Sequence, residues 1–161
     1  MMVKLNLSMH NINQFNHLKI HTQYSICEGA VRINDLAEYC KKHKLKSVGL
    51  SDTTNLCGAL EFSENISKSG CQPIIGTQIK FSFKGEIGLI PLIAKNSVGY
   101  KSIIELSSKA YLENDGITEN HCQLEDLLNK GEELIVLSGS INGLFGKLFN
   151  KGKLDEIENI Y

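Results

Sequence analysis

Apolar and polar positions in this chain change period several times, and each change marks an element. Residues 15–22 (FNHLKIHT) alternate in the manner of a short strand, whereas residues 29–45 (GAVRINDLAEYCKKHKL) place Val31, Leu36 and Cys40 on one helical face. Asn34, or the residues just before the helix, can cap it. Residues 47–52 (SVGLSD) form a short apolar run of the kind found in buried parallel strands. A second helix is predicted over residues 56–70, stopped by Gly70. Residues 72–83 and 86–96 then predict two strands, the first with a proline at its entrance, joined as a hairpin through Gly85. Residues 97–114 predict a third helix offering Ile103, Ile104, Leu106 and Ala110 to a core, and residues 121–131 a short fourth. The run ELIVLSGS, residues 133–140, is the most strand-like in the chain and predicts a core strand entering a turn. Helical pieces punctuated by Gly143, Gly146 and Gly152 follow it.

Strands and helices in alternation imply βα units and a mainly parallel sheet. There is no internal repeat, low-complexity tract or proline-rich linker. A complete βα barrel takes about 250 residues, and this chain has 161. The expectation is an α/β fold of which the chain is the first part. Residues 1–14 are expected to be a disordered polar leader, with residues 15–161 forming the domain.

Composition narrows the classes. A net charge of −1 with 22% charged residues gives no basic excess for holding several phosphates. The run KKHKLK, residues 41–46, is explained by cations gathering at the negative end of a helix dipole. Five cysteines, Cys27, Cys40, Cys57, Cys71 and Cys122, are odd in number and without CxxC spacing, which points to reduced thiols in a cytoplasmic protein. No apolar run reaches the ~20 residues that span a bilayer, and the N-terminus lacks the apolar segment of a secretory signal.

Functional groups of βα folds gather at the C-terminal ends of strands. Three segments end that way, in His21, Asp52 and Gln78. His17 shares the strand face of His21 but sits at the strand entrance, and His10, His43 and His121 lie in polar, exposed contexts. Glu28 caps or orients the loop before the first helix. Cys57 reads as a small buried residue, having no neighbouring base to activate it. The glycine-rich SGSINGLFG lacks the Gly-Lys-Ser/Thr ending of a phosphate loop.

Residues 17–81, with the runs NLCGALEF, NSVGYKSIIELSSKAYLEN and EELIVLSGSINGLFGKLF, resemble the amino-terminal PHP (polymerase and histidinol phosphatase) domains of bacterial replicative DNA polymerase III alpha subunits, in order and spacing from Phe15 to Phe149. The resemblance implies a PHP-type distorted βα barrel. It also implies a parent protein that is a DNA-directed DNA polymerase, with magnesium at a polymerase site carried further along the chain. The implied partners are the proofreading exonuclease subunit, other replicase subunits and, through downstream domains, primer-template DNA; no membrane is implied.

Metal-binding members of that family carry a His-x-His pair that falls here on Lys19 and His21, and an Asp-His-Gly that falls on Asp52, Thr53 and Thr54. A family glutamate falls on Gln78, and a further histidine on or near Leu89. The resemblance therefore implies a degenerate metal pocket at Lys19, His21, Asp52, Thr53, Gln78 and Leu89, with no catalytic, cofactor-binding or metal-binding residue. In such a pocket the Lys19 ammonium could pair with Asp52, and the Thr53 hydroxyl could satisfy nearby backbone groups. The expected role is a non-catalytic scaffold. The competing expectation, a metal-dependent phosphoesterase or exonuclease, needs the ligands that these positions have lost.

Overall fold

The computed structural model describes residues 15–113, 116–158 and 160; the expected leader and His10 lie outside the described residues. Strand β1 (His17–Ile20) leads through a looped segment to helix α1 (Ile33–His43), then β2 (Ser47–Leu50) and β3 (Asp52–Thr53). Helix α2 (Ala59–Lys68), β4 (Gln72–Ile74), β5 (Gly76–Phe83), β6 (Glu86–Ala94) and α3 (Ser97–Leu112) follow. The remainder comprises β7 (Cys122–Gln123), α4 (Leu124–Leu128), a 3-10 turn at Gly131–Glu133, β8 (Leu134–Val136), α5 (Leu144–Asn150) and α6 (Leu154–Glu158). The alternation of strands and helices is the one expected from the hydrophobic pattern, within an α/β fold, except that β7 opens the segment expected to be wholly helical and two expected strands are divided.

The strands divide into two sheets. β1, β2 and β4 form a parallel sheet in the order β1-β2-β4. The second sheet runs β3-β5-β6-β8 and is mixed: β3 and β7 lie parallel to β5, while β6 is antiparallel to both β5 and β8. The two apolar runs expected to be single strands each break at one residue. Ser51 separates β2 from β3, and Ile75 separates β4 from β5, so that the chain crosses between sheets at both places. The expected hairpin is present, with Phe83 opposite Glu86 and both turn residues, Lys84 and Gly85, at positive φ.

Each sheet has its own helical cover. Ile33, Leu36 and Cys40 of α1 and Phe62 and Ile66 of α2 pack with Val48 and Leu50 of β2. Ile103, Leu106 and Ala110 of α3, with residues of α4 and α5, pack with Ile79, Phe81, Ile90 and Leu92 of the second sheet. Leu56 touches both clusters.

Several expectations are corrected. Helix α1 begins at Ile33 because residues 22–31 fold back on themselves, with Gln23 N donating to Val31 O (2.9 Å) and Gly29 N to Ser25 O (2.9 Å). Val31 is thereby taken off the helix, left 39% exposed and bridged to Thr22. Arg32 occupies the N-cap without a side-chain bond, and the Asn34 amide oxygen accepts from Asn65 instead. Ile104 faces solvent while its α3 neighbours are buried. Cys57, expected to be buried, is exposed, because α2 starts two residues after it. The strand-like run at 133–140 yields only the three-residue edge strand β8, with Ile135 and Val136 half exposed.

Gly76, at the crossing from β4 to β5, has no room for a side chain: a Cβ there would lie 2.4 Å from Leu92 O and 3.0 Å from Leu50 O. Gly76→Ala is therefore expected to lower stability in urea titrations by about 2 kcal/mol, the scale of forced overpacking in a core. Burial pushes the Cys40 thiol up to about 12 and the Cys122 thiol up to about 11, and raises that of Cys71 as well. An aromatic disulfide reagent at pH 8 should accordingly label Cys27 and Cys57 in the native chain, and Cys40, Cys71 and Cys122 only after denaturation.

Candidate functional site

Of the three residues expected at C-terminal strand ends, only His21 lies at one, because the breaks at Ser51 and Ile75 start new strands that contain Asp52 and Gln78. His21 follows β1, Asp52 opens β3, and Gln78 lies on β5 directly opposite Thr53 in the parallel register. Asp52 is fully buried and accepts three hydrogen bonds: from Thr22 N (2.6 Å), Thr22 Oγ1 (2.7 Å) and Ser25 Oγ (2.6 Å). Thr77 Oγ1 donates to the Asp52 carbonyl at 2.6 Å, so the same residue is gripped at backbone and side chain. The carboxylate is matched by donors alone, with no cation against it among the described residues.

Beside Asp52, Thr53 Oγ1 donates to Glu28 Oε2 and accepts from Gln78 Nε2 at 2.7 Å. The Thr53 side chain thus satisfies other side chains, not the backbone as the sequence suggested. Glu28 does orient the loop, and in addition its Oε2 lies 3.7 Å from His21 Nδ1. The same ring nitrogen is 3.5 Å from Ser25 Oγ. This is not a nucleophilic triad, which needs one imidazole nitrogen on the serine and the other on the acid. Here both neighbours face Nδ1, and the Ser25 proton is directed to Asp52.

Lys19 does not pair with Asp52. It lines a separate cavity of about 40 Å³ together with Gln78, Leu89, Pro91, Gly139, Ser140, Asn142 and Gly143. The six residues of the implied pocket therefore fall into two groups, with Asp52, Thr53 and His21 on one side, Lys19 and Leu89 on the other, and Gln78 in both. On the outer side, a polar cleft of about 450 Å³ is lined by Tyr24, Ser25, Glu28, Thr53, Thr54, Asn55 and Lys80 among others. Its charges are internally paired: Lys80 Nζ lies 3.1 Å from Glu119 Oε2, and the Tyr24 hydroxyl donates to Glu61 Oε2 (2.7 Å), which raises the phenol pKa.

Thr22, Ser25 and Thr77 were not singled out by the sequence. The density of hydroxyl residues in HTQYS and SDTTN, flanking the two candidate ligands, is the signal that could have found them. Thr54 is a further case. It is buried at φ +55° with its N–H donating to Gln78 O at 2.8 Å, a left-handed conformation that a β-branched residue adopts only under strain. Thr54→Gly should raise the unfolding free energy by about 1 kcal/mol, measured by chemical denaturation, because glycine enters that region without steric cost.

Comparison with known proteins gives the family. The family model for the PHP domain matches residues 17–161. The DNA polymerase III subunit alpha of Vibrio cholerae is 34% identical over 154 residues, covering 90% of this chain and 13% of that protein. The corresponding subunit of Rickettsia felis is 36% identical, covering 83% and 11%, and that of Borreliella burgdorferi 33% identical, covering 91% and 14%. Among solved structures, a Bifidobacterium adolescentis protein described as a metal-dependent phosphoesterase aligns with a TM-score of 0.47 at 18% identity, over 89% of this chain and 52% of that one. The chain thus spans about one-eighth of the polymerase subunits it matches, and it belongs to the PHP-domain family.

Proposed function

We propose that this chain is the amino-terminal PHP portion of a DNA polymerase III alpha subunit, and that it serves there as a non-catalytic scaffold. The whole protein would be the cytoplasmic DNA-directed DNA polymerase of chromosome replication. Its magnesium ions, its polymerase carboxylates and its contacts with primer-template DNA would belong to other parts of that protein. The scaffold would support the polymerase core and offer a docking surface to the proofreading exonuclease subunit, within an assembly of other replicase subunits.

The observation that carries this reading is the donor set of the pocket. A divalent centre for hydrolysis needs several imidazole and carboxylate ligands with free lone pairs. Among the described residues no three His, Cys, Asp or Glu side chains are grouped to hold a metal ion. Asp52 has both oxygens engaged by Thr22 and Ser25, Thr53 brings a hydroxyl, and Gln78 brings an amide whose NH₂ is turned toward Thr53. These residues do not fit a divalent ion, so no activated water is assigned to them. The phosphoesterase reading lacks, among the described residues, the ligand group that would hold a water-activating metal.

After dialysis against zinc and manganese, the chain should retain neither ion in stoichiometric amount and should not hydrolyse p-nitrophenyl phosphate. One equivalent of tightly held metal accompanied by turnover would return the site to the hydrolases. Docking is checked separately by titrating the chain with the purified proofreading exonuclease subunit. Saturable binding is expected, and its absence would remove that part of the role.

A further inference from the structure

The end of α1 carries a local excess of positive charge that the overall value of −1 conceals. Residues 41–46 read KKHKLK, and all but Leu45 are exposed. The negative end of the helix accounts for the cations of its last turn, Lys41, Lys42 and His43. It does not account for Lys46, which lies beyond the helix, because that field fades within the last turn. Lys41, Lys42 and Lys46 have neither an ion pair nor a side-chain hydrogen bond among the described residues. Glu38 stands at the spacing that forms helical pairs with Lys41 and Lys42, yet neither lysine pairs with it. With Asp35 in its first turn, α1 runs from acidic to basic along its length, and the basic end is open.

Aromatic rings stand beside these cations. Tyr39, half exposed, stacks on His43 one turn further on, with ring centroids 4.2 Å apart. The Asn65 amide of α2 donates to Asn34, which marks the flank of α1 that faces α2. Tyr39 and His43 lie on the other flank, and since α2 packs on β4 in the order β1-β2-β4, that flank looks toward β1. There the chain entering β1 brings a second ring pair, Phe15 with His17 at 4.8 Å, and Phe15 is 73% exposed. His17 pairs with Val48 in parallel register, so the residues before β1 run beside Lys46. Open ring faces and unpaired ammonium groups thus meet at the entrance of β1 and β2, the end of these strands away from Asp52.

We propose that this end of the first sheet binds single-stranded nucleic acid, with Lys41, Lys42 and Lys46 meeting phosphates and Tyr39 and Phe15 offering faces to bases. The charge is complementary to a phosphate backbone, whose counterions the lysines release on binding. The rings decide the kind of polyanion. Every base of a single strand has a π face to lay on an exposed ring, whereas an acidic protein segment satisfies the lysines and leaves the rings bare. The surface adds a ligand to a chain read above as a scaffold, and it does not depend on that reading.

The test is fluorescence anisotropy of a labelled oligothymidylate titrated with the chain at low salt. Binding should be saturable, and tripling the salt should weaken it about tenfold, as expected for roughly three phosphates neutralised on a single strand. Lys41→Gln, Lys42→Gln and Lys46→Gln combined should cost at least about tenfold at the lower salt and flatten the salt dependence. Tyr39→Ala should cost about fivefold or more with the salt dependence unchanged, the scale of one stacked base, and Tyr39→Phe should bind as the wild type does. Lys101→Gln, on α3, should have no effect. All variants change exposed side chains and are compared at matched thermal melts. Absence of saturable binding, equal displacement by poly-glutamate at the same charge concentration, or affinity unchanged in the triple variant or in Tyr39→Ala would each overturn the proposal, as would an equal loss in Lys101→Gln.

Discussion

The fold depends on how one buried carboxylate is held. Asp52 sits where the chain leaves the first sheet for the second, fully buried, and among the described residues its carboxyl oxygens are met by the Thr22 N–H and the hydroxyls of Thr22 and Ser25. Burying a charge is costly unless every lone pair facing the interior finds a donor. The loop after β1 must therefore close on Asp52, and that closure delays α1 to Ile33 and brings Glu28 within reach of Thr53. Loop, sheet crossing and polar pocket follow from one requirement for donors.

Much of this was legible in the sequence and some could not have been. The alternation of strands and helices, the Lys84-Gly85 hairpin and the stop at Gly70 are local, set by periodicity and turn chemistry within a few residues. The position of His21 just after β1 follows from the same local signals, whereas Asp52 and Gln78 fall within strands that begin at the sheet crossings. The division into two sheets is different. Runs such as SVGLSD and QPIIGTQIKFSF are uniformly apolar or alternating across the break, and a single residue at Ser51 or Ile75 redirects the chain. Hydrophobicity reports that a residue is buried and not which sheet buries it, so one strand was expected where there are two. The exposure of Cys57 and the weakness of β8 have the same origin, since neither is decided by the residues nearby.

The pocket shows a second limit on sequence reasoning. Lys19 next to a vacated metal position suggests an ion pair with the nearest acid, Asp52, and charge counting favours it. The structure gives Asp52 to neutral donors and leaves Lys19 on the far side of Gln78. Hydrogen-bond direction, invisible in a list of charges, decides the arrangement: acceptors and donors have to alternate along Glu28, Thr53 and Gln78.

That alternation bears on how such a pocket holds itself together. A metal centre stabilises a domain to a degree that depends on the free ion concentration, because binding energy enters through mass action, and its ligands must be deprotonated to bind. A line of neutral and charged hydrogen bonds contributes without any free ion. Threonine and glutamine at these two positions keep the spacing across β3 and β5 that ligands there would require, Asp52 opposite Thr77 and Thr53 opposite Gln78. Neither brings the negative charge or the imidazole nitrogen on which a divalent centre draws. The cross-strand geometry is thus kept with neither a carboxylate nor an imidazole at Thr53 or Gln78.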